Sequence, residues 1–195
     1  HCFITLGTSW IYRNIETNEI VANCHKIPQK NFTKELLSVA EISASLQNII
    51  AQIQSINPTI AIIFTVSPVR HLKDGFVENT QSKAHLIAGI HSVLKDENLF
   101  YFPSYEIMMD ELRDYRFYAE DMIHPSKIAI DYIWKKLVTT WFSEDSIPIM
   151  NEVDSIQKAM LHRPFHENSE QHRAFLKQVN SKIAEIQKQF PSIQF

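Results

Sequence analysis

The sequence predicts a three-layer α/β/α fold, built on a parallel sheet and followed by a C-terminal helical extension. Strand-like and helix-like segments alternate along most of the chain, which is the order expected of a parallel sheet with right-handed crossovers. Residues 59–66 are apolar almost throughout, as in a strand that is covered on both faces. The chain has only 3 glycines, which indicates few loose loops and much helix.

The first predicted elements are a strand, a hairpin and a helix. Residues 3–6 form an apolar strand, and short β-type runs on either side of the polar turn at 16–19 predict a hairpin. A capping box of Ser38 and Glu41 starts the helix. Its apolar residues recur at helical spacing until Asn57 and the proline that follows end it.

Helices and strands continue to alternate after the apolar strand. A helix is predicted near residues 79–95, a strand at 99–102 and a short helix at 105–112. The last long helix of this region runs from Ser126 to about Trp141. The residues predicted to face inward on it are Ile130, Trp134, Leu137, Val138 and Trp141.

The character of the chain changes towards its C-terminal end. Residues 1–145 are therefore predicted to form the α/β domain, and residues 146–195 the helical extension. Apolar residues at helical spacing mark one helix around Ile156 and another around Val179. The extension could cap the domain or offer a contact surface to a partner.

Composition and charge argue against several classes of function. The 195 residues suffice for one domain with a core and an appendage. A formal net charge of -3 without a basic run gives no support to binding of nucleic acid or of a membrane surface. No apolar stretch has the length of a membrane helix, and no signal pattern is visible. Cys2 and Cys24 form neither a disulfide framework nor a zinc motif, which fits a cytoplasmic protein.

The sequence begins almost directly on a strand, with only His1 and Cys2 ahead of it. A catalytic α/β fold seldom opens on a central strand, so further residues are expected upstream. Without them, the strand at residues 3–6 would be short of a neighbour. An unpaired apolar edge favours association, so a homo-oligomer or aggregate is expected.

Asp121 and His124 have the spacing of the base half of a nucleophilic triad. The acid can hold one ring nitrogen protonated, which leaves the other nitrogen to accept a proton from a nucleophile. The alternative is an Asp in a turn and a His on a loop that Pro125 ends. Ligands bind beyond the carboxyl ends of parallel strands, so this segment and the loops at 7–10 and 67–71 are expected to converge.

Several separate sequence motifs, which follow one another in a fixed order along the chain, resemble those of a known family. They are Thr5-Leu-Gly-Thr-Ser-Trp-Ile-Tyr12, residues 21–26, Ser67-Pro-Val-Arg-His71, and residues 101–118 running into 121–126. Together they resemble the GSCFA-domain proteins of bacteria, which are placed among the SGNH (GDSL-like) hydrolases. The resemblance covers most of the predicted α/β domain in dispersed blocks and extends weakly through residues 163–165.

The resemblance implies an ester hydrolase or acyltransferase that acts on an acyl ester or an acylated carbohydrate, without a cofactor. His124 would be its general base, and Asp121 would orient that base. The Gly-Ser-Cys-Phe-Ala motif that names the family holds its Ser at the nucleophile position. This motif is absent here, and Cys2-Phe3 lacks the preceding Gly-Ser, so the Ser is expected upstream. The alternative function is a non-catalytic binding or scaffold module on the same fold.

Gly7-Thr8-Ser9 lies where SGNH enzymes have a Gly-x-Asn that donates to the oxyanion. The resemblance therefore implies that role for Gly7 and Ser9. A hydroxyl is a shorter, rotating donor, and loss of one oxyanion donor costs about two to three orders of magnitude in rate. The alternative is that Gly7 permits a tight strand exit and Ser9 solvates it.

Candidates for substrate contact are Asn23, His25, Arg70 and His71. Arg70 follows the apolar strand, where its planar guanidinium could hold a carboxylate or phosphate. The alternative for Arg70 is an ion pair with Asp74.

Two other arrangements remain open. His25, His71, Asp121 and His124 could bind zinc or manganese, but no close His spacing supports this, so no metal is expected. The aromatic run at 115–118 could stack on a sugar or acyl group, or simply pack beneath its loop.

Overall fold

The computed structural model describes residues 1–21, 24, 26–162 and 169–195. These residues form a mixed α/β structure with a 3-stranded parallel sheet, in two compact units, His1–Trp134 and Lys135–Phe195. The strands are β1 (Cys2–Leu6), β2 (Trp10–Asn14), β3 (Ile20–Val21), β4 (Phe32–Leu36), β5 (Ile62–Val66) and β6 (Leu99–Phe102). The helices are α1 (Val39–Ile56), α2 (Phe76–Val93), α3 (Ser104–Glu106), α4 (Lys127–Trp141), α5 (Ser146–Met160) and α6 (Glu170–Gln189).

The parallel sheet is the centre of the first unit. Its strand order is β1-β5-β6, and all its pairs are parallel, as the alternation of strands and helices predicted. Every residue of β5 is buried, which matches the apolar run that predicted this strand. Leu6 pairs with Val66, so the carboxyl ends of β1 and β5 leave the sheet side by side.

Helices α1 and α2 share a hydrophobic core with this sheet. α1 begins at the predicted capping box, in which the Ser38 hydroxyl accepts the Glu41 N–H and the Glu41 carboxylate accepts the Ser38 N–H. Alternate residues of β5 contribute to this core, as expected of one face of a strand. The buried cluster consists of Ile42, Leu46, Ile50, Ile62, Phe64, Val66, Leu86, Ile90, Val93 and Leu99.

A second, antiparallel sheet contains the predicted hairpin. β2 pairs with β3, where Tyr12 lies opposite Val21. On its other side β2 pairs with β4, a strand that the sequence analysis missed. The residues between Phe32 and Leu36 are all polar, so β4 lacks the alternation of apolar and polar residues that marks a half-buried strand.

The inward face predicted for α4 was wrong at two positions. Ile130 and Trp134 are 55% and 50% exposed, whereas Ala129 is fully buried. The prediction considered only large apolar side chains and overlooked Ala129. A side chain as small as that of alanine lets a helix backbone approach its neighbours closely. The short helix predicted at residues 105–112 is α3 followed by a π-helical segment at Ile107–Glu111.

Within the described part of the chain, β1 lies at an edge of the parallel sheet, as the sequence predicted. Cys2, Ile4 and Leu6 pack against the core cluster, while Phe3 on the other face is 41% exposed. Association of the chain through this edge stays a prediction.

The second unit contains α5 and α6, the two helices predicted for the C-terminal region. Ile156 of α5 packs with Val179 and Ile186 of α6 in a small buried cluster. Ser169 caps α6, because its hydroxyl accepts the backbone N–H of His172. Of the helices that the structure describes, none combines the length and apolarity needed to cross a membrane.

Candidate active site

Asp121 and His124 are in direct contact, as their spacing predicted. Oδ2 of the Asp121 carboxylate lies 2.6 Å from Nδ1 of the His124 ring. Oδ1 accepts the backbone N–H groups of Ile123 at 2.9 Å and of His124 at 3.0 Å. One carboxylate therefore holds both the backbone of the loop and the ring.

The loop that carries this pair is closed at its base. Tyr118 and Pro125 form an isolated antiparallel bridge, and the Ala119 N–H donates to the His124 carbonyl at 2.8 Å. At the tip, Met122 has a left-handed backbone with φ of 58°. A left-handed backbone is uncommon for a residue other than glycine. It reverses the chain locally, which brings the Asp121 side chain back to the residues that follow it.

The Asp121 carboxylate is ionised at all ordinary pH values, because its pKa falls to about 2. The backbone N–H of His124 contributes most to this lowering, followed by the His124 ring and the Ile123 N–H. A negative acceptor at Nδ1 keeps the proton on that nitrogen and leaves Nε2 as the acceptor. The side chains of His124 and Asp121 are 60% and 46% exposed, so the pair is accessible from solvent.

Lys83 of α2 ties together the exits of β1 and β5. Its Nζ donates hydrogen bonds to the carbonyl oxygens of Gly7 and Ser67, each at 2.6 Å. The residue is 1% exposed, and this burial lowers the pKa of its ammonium from 10.5 to about 8. The predicted convergence of these two loops is present, and a buried cation holds it.

Replacement of Lys83 by Met is expected to remove a pH dependence of stability. The folded pKa lies below the unfolded one, so the unfolded chain binds the proton more tightly. Wild-type stability therefore rises with pH between about 8 and 10.5. The free energy of unfolding should increase by about 2 kcal/mol between about pH 8 and pH 10. Denaturant unfolding at the two pH values measures this increase.

The Lys83→Met variant should lack this increase, whereas Lys95→Met, which removes an exposed lysine just beyond α2, should keep it. The change with pH is the useful quantity, because at a single pH the lost hydrogen bonds and the removal of a buried charge oppose one another. An equal rise in the wild type and in Lys83→Met would contradict the buried ammonium.

Ser9 does not face the site, which corrects its predicted role as an oxyanion donor. The residue is 1% exposed, and its hydroxyl lies 3.1 Å from both the carbonyl and the hydroxyl oxygen of Ser82 on α2. Its backbone N–H donates to the same Ser82 hydroxyl at 2.8 Å. A serine hydroxyl has one proton to donate, and here it is directed into the helix.

His71 lies against Gly7. Its Nε2 atom is 3.5 Å from the position that a Cβ at Gly7 would occupy. The His71 backbone N–H donates to Oδ1 of Asn79 at 2.8 Å, which fixes the loop after β5 on α2. Burial lowers the pKa of the His71 ring, the Lys83 charge lowers it further, and Asp74 opposes this. These effects together favour the neutral form of the His71 ring beside the exit of β1.

Arg70 joins the loop after β5 to the loop of the Asp–His pair. Its backbone N–H and its Nη1 donate to the carbonyls of residues 123 and 122, at 3.2 and 3.3 Å. The guanidinium lies over the Tyr118 ring, with Cζ 3.8 Å from the ring centre. The ion pair with Asp74 that the sequence left open is replaced by another, because Asp74 pairs with Lys34.

Comparison of the sequence with models of protein families shows the family to which this chain belongs. Residues 1–137 match the model of the GSCFA family. The chain belongs to the GSCFA family. Residues 153–195 match the model of the GSCFA domain protein, C-terminal domain. The helical extension of this GSCFA-family chain therefore also matches a family model. No curated protein and no solved structure matches it. The resemblance read from dispersed phrases is confirmed for the family itself.

Two predicted substrate contacts of the GSCFA-family chain, Asn23 and His25, lie outside the described residues. His25 was also a member of the alternative metal site. Among the residues that the structure describes, no group of three or more His, Cys, Asp or Glu side chains is placed to hold a metal ion.

The site residues that the sequence analysis missed in this GSCFA-family chain lie on α2. Asn79, Ser82 and Lys83 are buried, and each contacts a strand exit. A signal was available, because they continue the helical stripe of Leu86 and Ile90 at spacings of three and four residues. Polar residues on the core-facing stripe of a helix are unusual and need buried partners.

Proposed function

We propose that this chain provides the general-base half of a Ser-His-Asp triad in an SGNH-type ester hydrolase or acyltransferase. The substrate class is an acyl ester, with acylated carbohydrates included by analogy. The contact of 2.6 Å between Asp121 Oδ2 and His124 Nδ1 carries this proposal. Such a contact orients the ring for proton transfer at its other nitrogen.

The proposed reaction is acyl transfer through a serine ester. Nε2 of His124 takes the proton of the serine hydroxyl as the serine oxygen bonds to the ester carbonyl carbon. The protonated ring then gives that proton to the alcohol oxygen as its bond to the carbon breaks. Water, or a second alcohol, releases the acyl group by the same two proton transfers. The ionised Asp121 stabilises the imidazolium each time it forms.

The serine of this proposal is that of the Gly-Ser-Cys-Phe-Ala motif, which the present sequence does not contain. Since the Ser9 hydroxyl is directed to Ser82, Gly7 is the one of the two predicted residues that we retain, with its backbone N–H as the candidate donor to the oxyanion. Tests of activity therefore use the motif-bearing form, by which we mean the protein with a Gly-Ser-Cys-Phe-Ala segment ahead of residue 1.

The motif-bearing form is expected to hydrolyse p-nitrophenyl esters, and the present chain is not. A general base without a nucleophile forms no acyl-enzyme, so the present chain should match the rate in buffer. Release of p-nitrophenol measures the rate for acyl groups of increasing length. The matched control replaces only the motif Ser by Ala and should return the rate to background. A folded motif-bearing form that is inert towards all these esters would contradict the proposal.

A second candidate function is a non-catalytic binding or scaffold module on the same fold. The burial of the Ser9 hydroxyl against Ser82 favours it, because a donor that the related enzymes use for the oxyanion is then lacking. The same ester panel separates the two functions. A binding module gives the same background rate whether or not the motif Ser is present.

A further inference from the structure

A cleft of about 220 Å³ opens next to the loop of the Asp–His pair. Arg70, Arg113 and Tyr118 are among its lining residues. Arg70 also donates to the Met122 carbonyl at 3.3 Å, and Tyr118 is bridged to Pro125. Two residues that line the cleft, Arg70 and Tyr118, therefore also bond to the loop of the Asp–His pair, Arg70 through its side chain and Tyr118 through its backbone.

The cleft presents two guanidinium groups without an acid of their own. Within the residues that the structure describes, no carboxylate lies at ion-pair distance from Arg70 or Arg113. Asp114 also lines the cleft, but its carboxylate accepts the backbone N–H and the guanidinium of Arg116, at 2.9 and 3.1 Å. Cationic groups in a concave wall raise the local concentration of anions.

The packing of Arg70 prepares it for a planar anion. Its guanidinium lies over the Tyr118 ring, with Cζ 3.8 Å from the ring centre, and the same Cζ is 5.6 Å from the centre of the Tyr115 ring. A guanidinium has five N–H groups, and the Met122 carbonyl accepts from only one of them. The others can form paired hydrogen bonds with a carboxylate or phosphate.

Two methionines in the lining of the cleft suit an apolar group. Met108 is 1% exposed, and the sulfur of Met109 lies 3.9 Å from the Tyr118 hydroxyl. An apolar cavity of about 150 Å³ can hold benzene. A cleft of about 220 Å³ therefore has room for a phenyl-sized group together with an anionic group.

We propose that this cleft binds a carboxylate or phosphate group carried by the substrate, held between Arg70 and Arg113, beside a small apolar part. The site would then select acyl esters that carry an anion. The selection of anionic esters as substrates rests on the proposed function, whereas the binding of an anion in the cleft does not.

Titration of the present chain with phenyl phosphate, benzoate and benzyl alcohol, followed by amide NMR, tests the proposal. Phenyl phosphate or benzoate should give saturable shifts at the cleft residues with a millimolar dissociation constant, and benzyl alcohol should not. Comparison of the two anions shows whether phosphate or carboxylate is preferred. Binding should weaken as salt is added.

Arg113→Gln should weaken the binding of the better anion by about tenfold or more, as expected for the loss of one charge-assisted hydrogen bond. Arg173→Gln is the matched control, since it removes the same charge from α6 in the second unit. The proposal is overturned if neither anion gives saturable shifts at the cleft. It is also overturned if benzyl alcohol binds as tightly, or if Arg113→Gln binds the anion like wild type.

The outcome of this titration is independent of the hydrolase proposal. If the anion binds but the motif-bearing form hydrolyses no ester, the cleft assignment stands and the hydrolase proposal fails. If the motif-bearing form hydrolyses neutral esters while no anion binds, the hydrolase proposal stands and the cleft assignment fails. If both hold, anionic esters should have a higher kcat/KM than neutral esters of equal size, and Arg113→Gln should remove that preference.

Discussion

Replacement of His124 by Ala in the motif-bearing form is expected to reduce ester turnover to the background rate. The imidazole is the only group of the Asp–His pair that can take the serine proton, because the Asp121 carboxylate is already engaged by its own loop. Loss of the base of a serine triad costs about five to six orders of magnitude in kcat. Initial rates with a neutral p-nitrophenyl ester measure the effect.

His91→Ala is the matched control for this variant, since His91 lies on α2 and contacts Tyr101 edge-on. Its turnover should remain close to that of the unmodified motif-bearing form. Added imidazole should restore part of the activity of His124→Ala and none of the activity of the motif Ser variant. Turnover that survives in His124→Ala would assign the proton transfer to another group.

Replacement of Asp121 by Asn should reverse the tautomer of His124. In wild type, Oδ1 accepts two backbone N–H groups, and Oδ2 accepts the ring Nδ1–H. The single oxygen of Asn must stay with the backbone donors, which places its NH₂ group opposite Nδ1. The ring proton then moves to Nε2, so this nitrogen can no longer accept the proton of the serine. We expect kcat to fall by about three to four orders of magnitude.

Two measurements check this prediction. Imidazole nitrogen shifts should show Nδ1–H in wild type and Nε2–H in Asp121→Asn, and ester turnover should fall with the change of tautomer. Asp96→Asn is the matched control, because Asp96 also accepts a nearby backbone N–H, that of Asn98 at 3.0 Å, and bonds to no histidine that the structure describes. Unchanged turnover in Asp121→Asn would contradict the orienting role of Asp121.

Several of the features that could be predicted from the sequence are set by residues close together in the chain. The capping box joins residues three positions apart, and the Asp121–His124 contact has the same spacing. β5 was recognised because its segment is apolar almost throughout, and the structure buries all five of its residues. Each of these features is determined by one short segment of the sequence, so it can be predicted without knowledge of distant contacts.

The features that escaped prediction depend on residues far apart in the chain. Lys83 bonds to Gly7 and Ser67, which are 76 and 16 positions away. Ser9 was predicted to face a substrate because its partner Ser82, 73 positions away, is not visible from the local pattern. Hydrogen bonds of this kind are set by how the loops pack on α2. A stripe of buried polar residues on a helix shows that hydrogen-bond partners must exist, but it does not identify them.

The base half of the triad is tested most directly by reaction of the motif-bearing form with a fluorophosphonate. An activated serine oxygen bonds to phosphorus, the P–F bond breaks with loss of fluoride, and the serine proton passes to His124. Mass spectrometry should show one phosphonyl group on the motif Ser in the motif-bearing form and none in its His124→Ala variant. An unlabelled Ser in the folded motif-bearing form, or equal labelling without His124, would contradict the account.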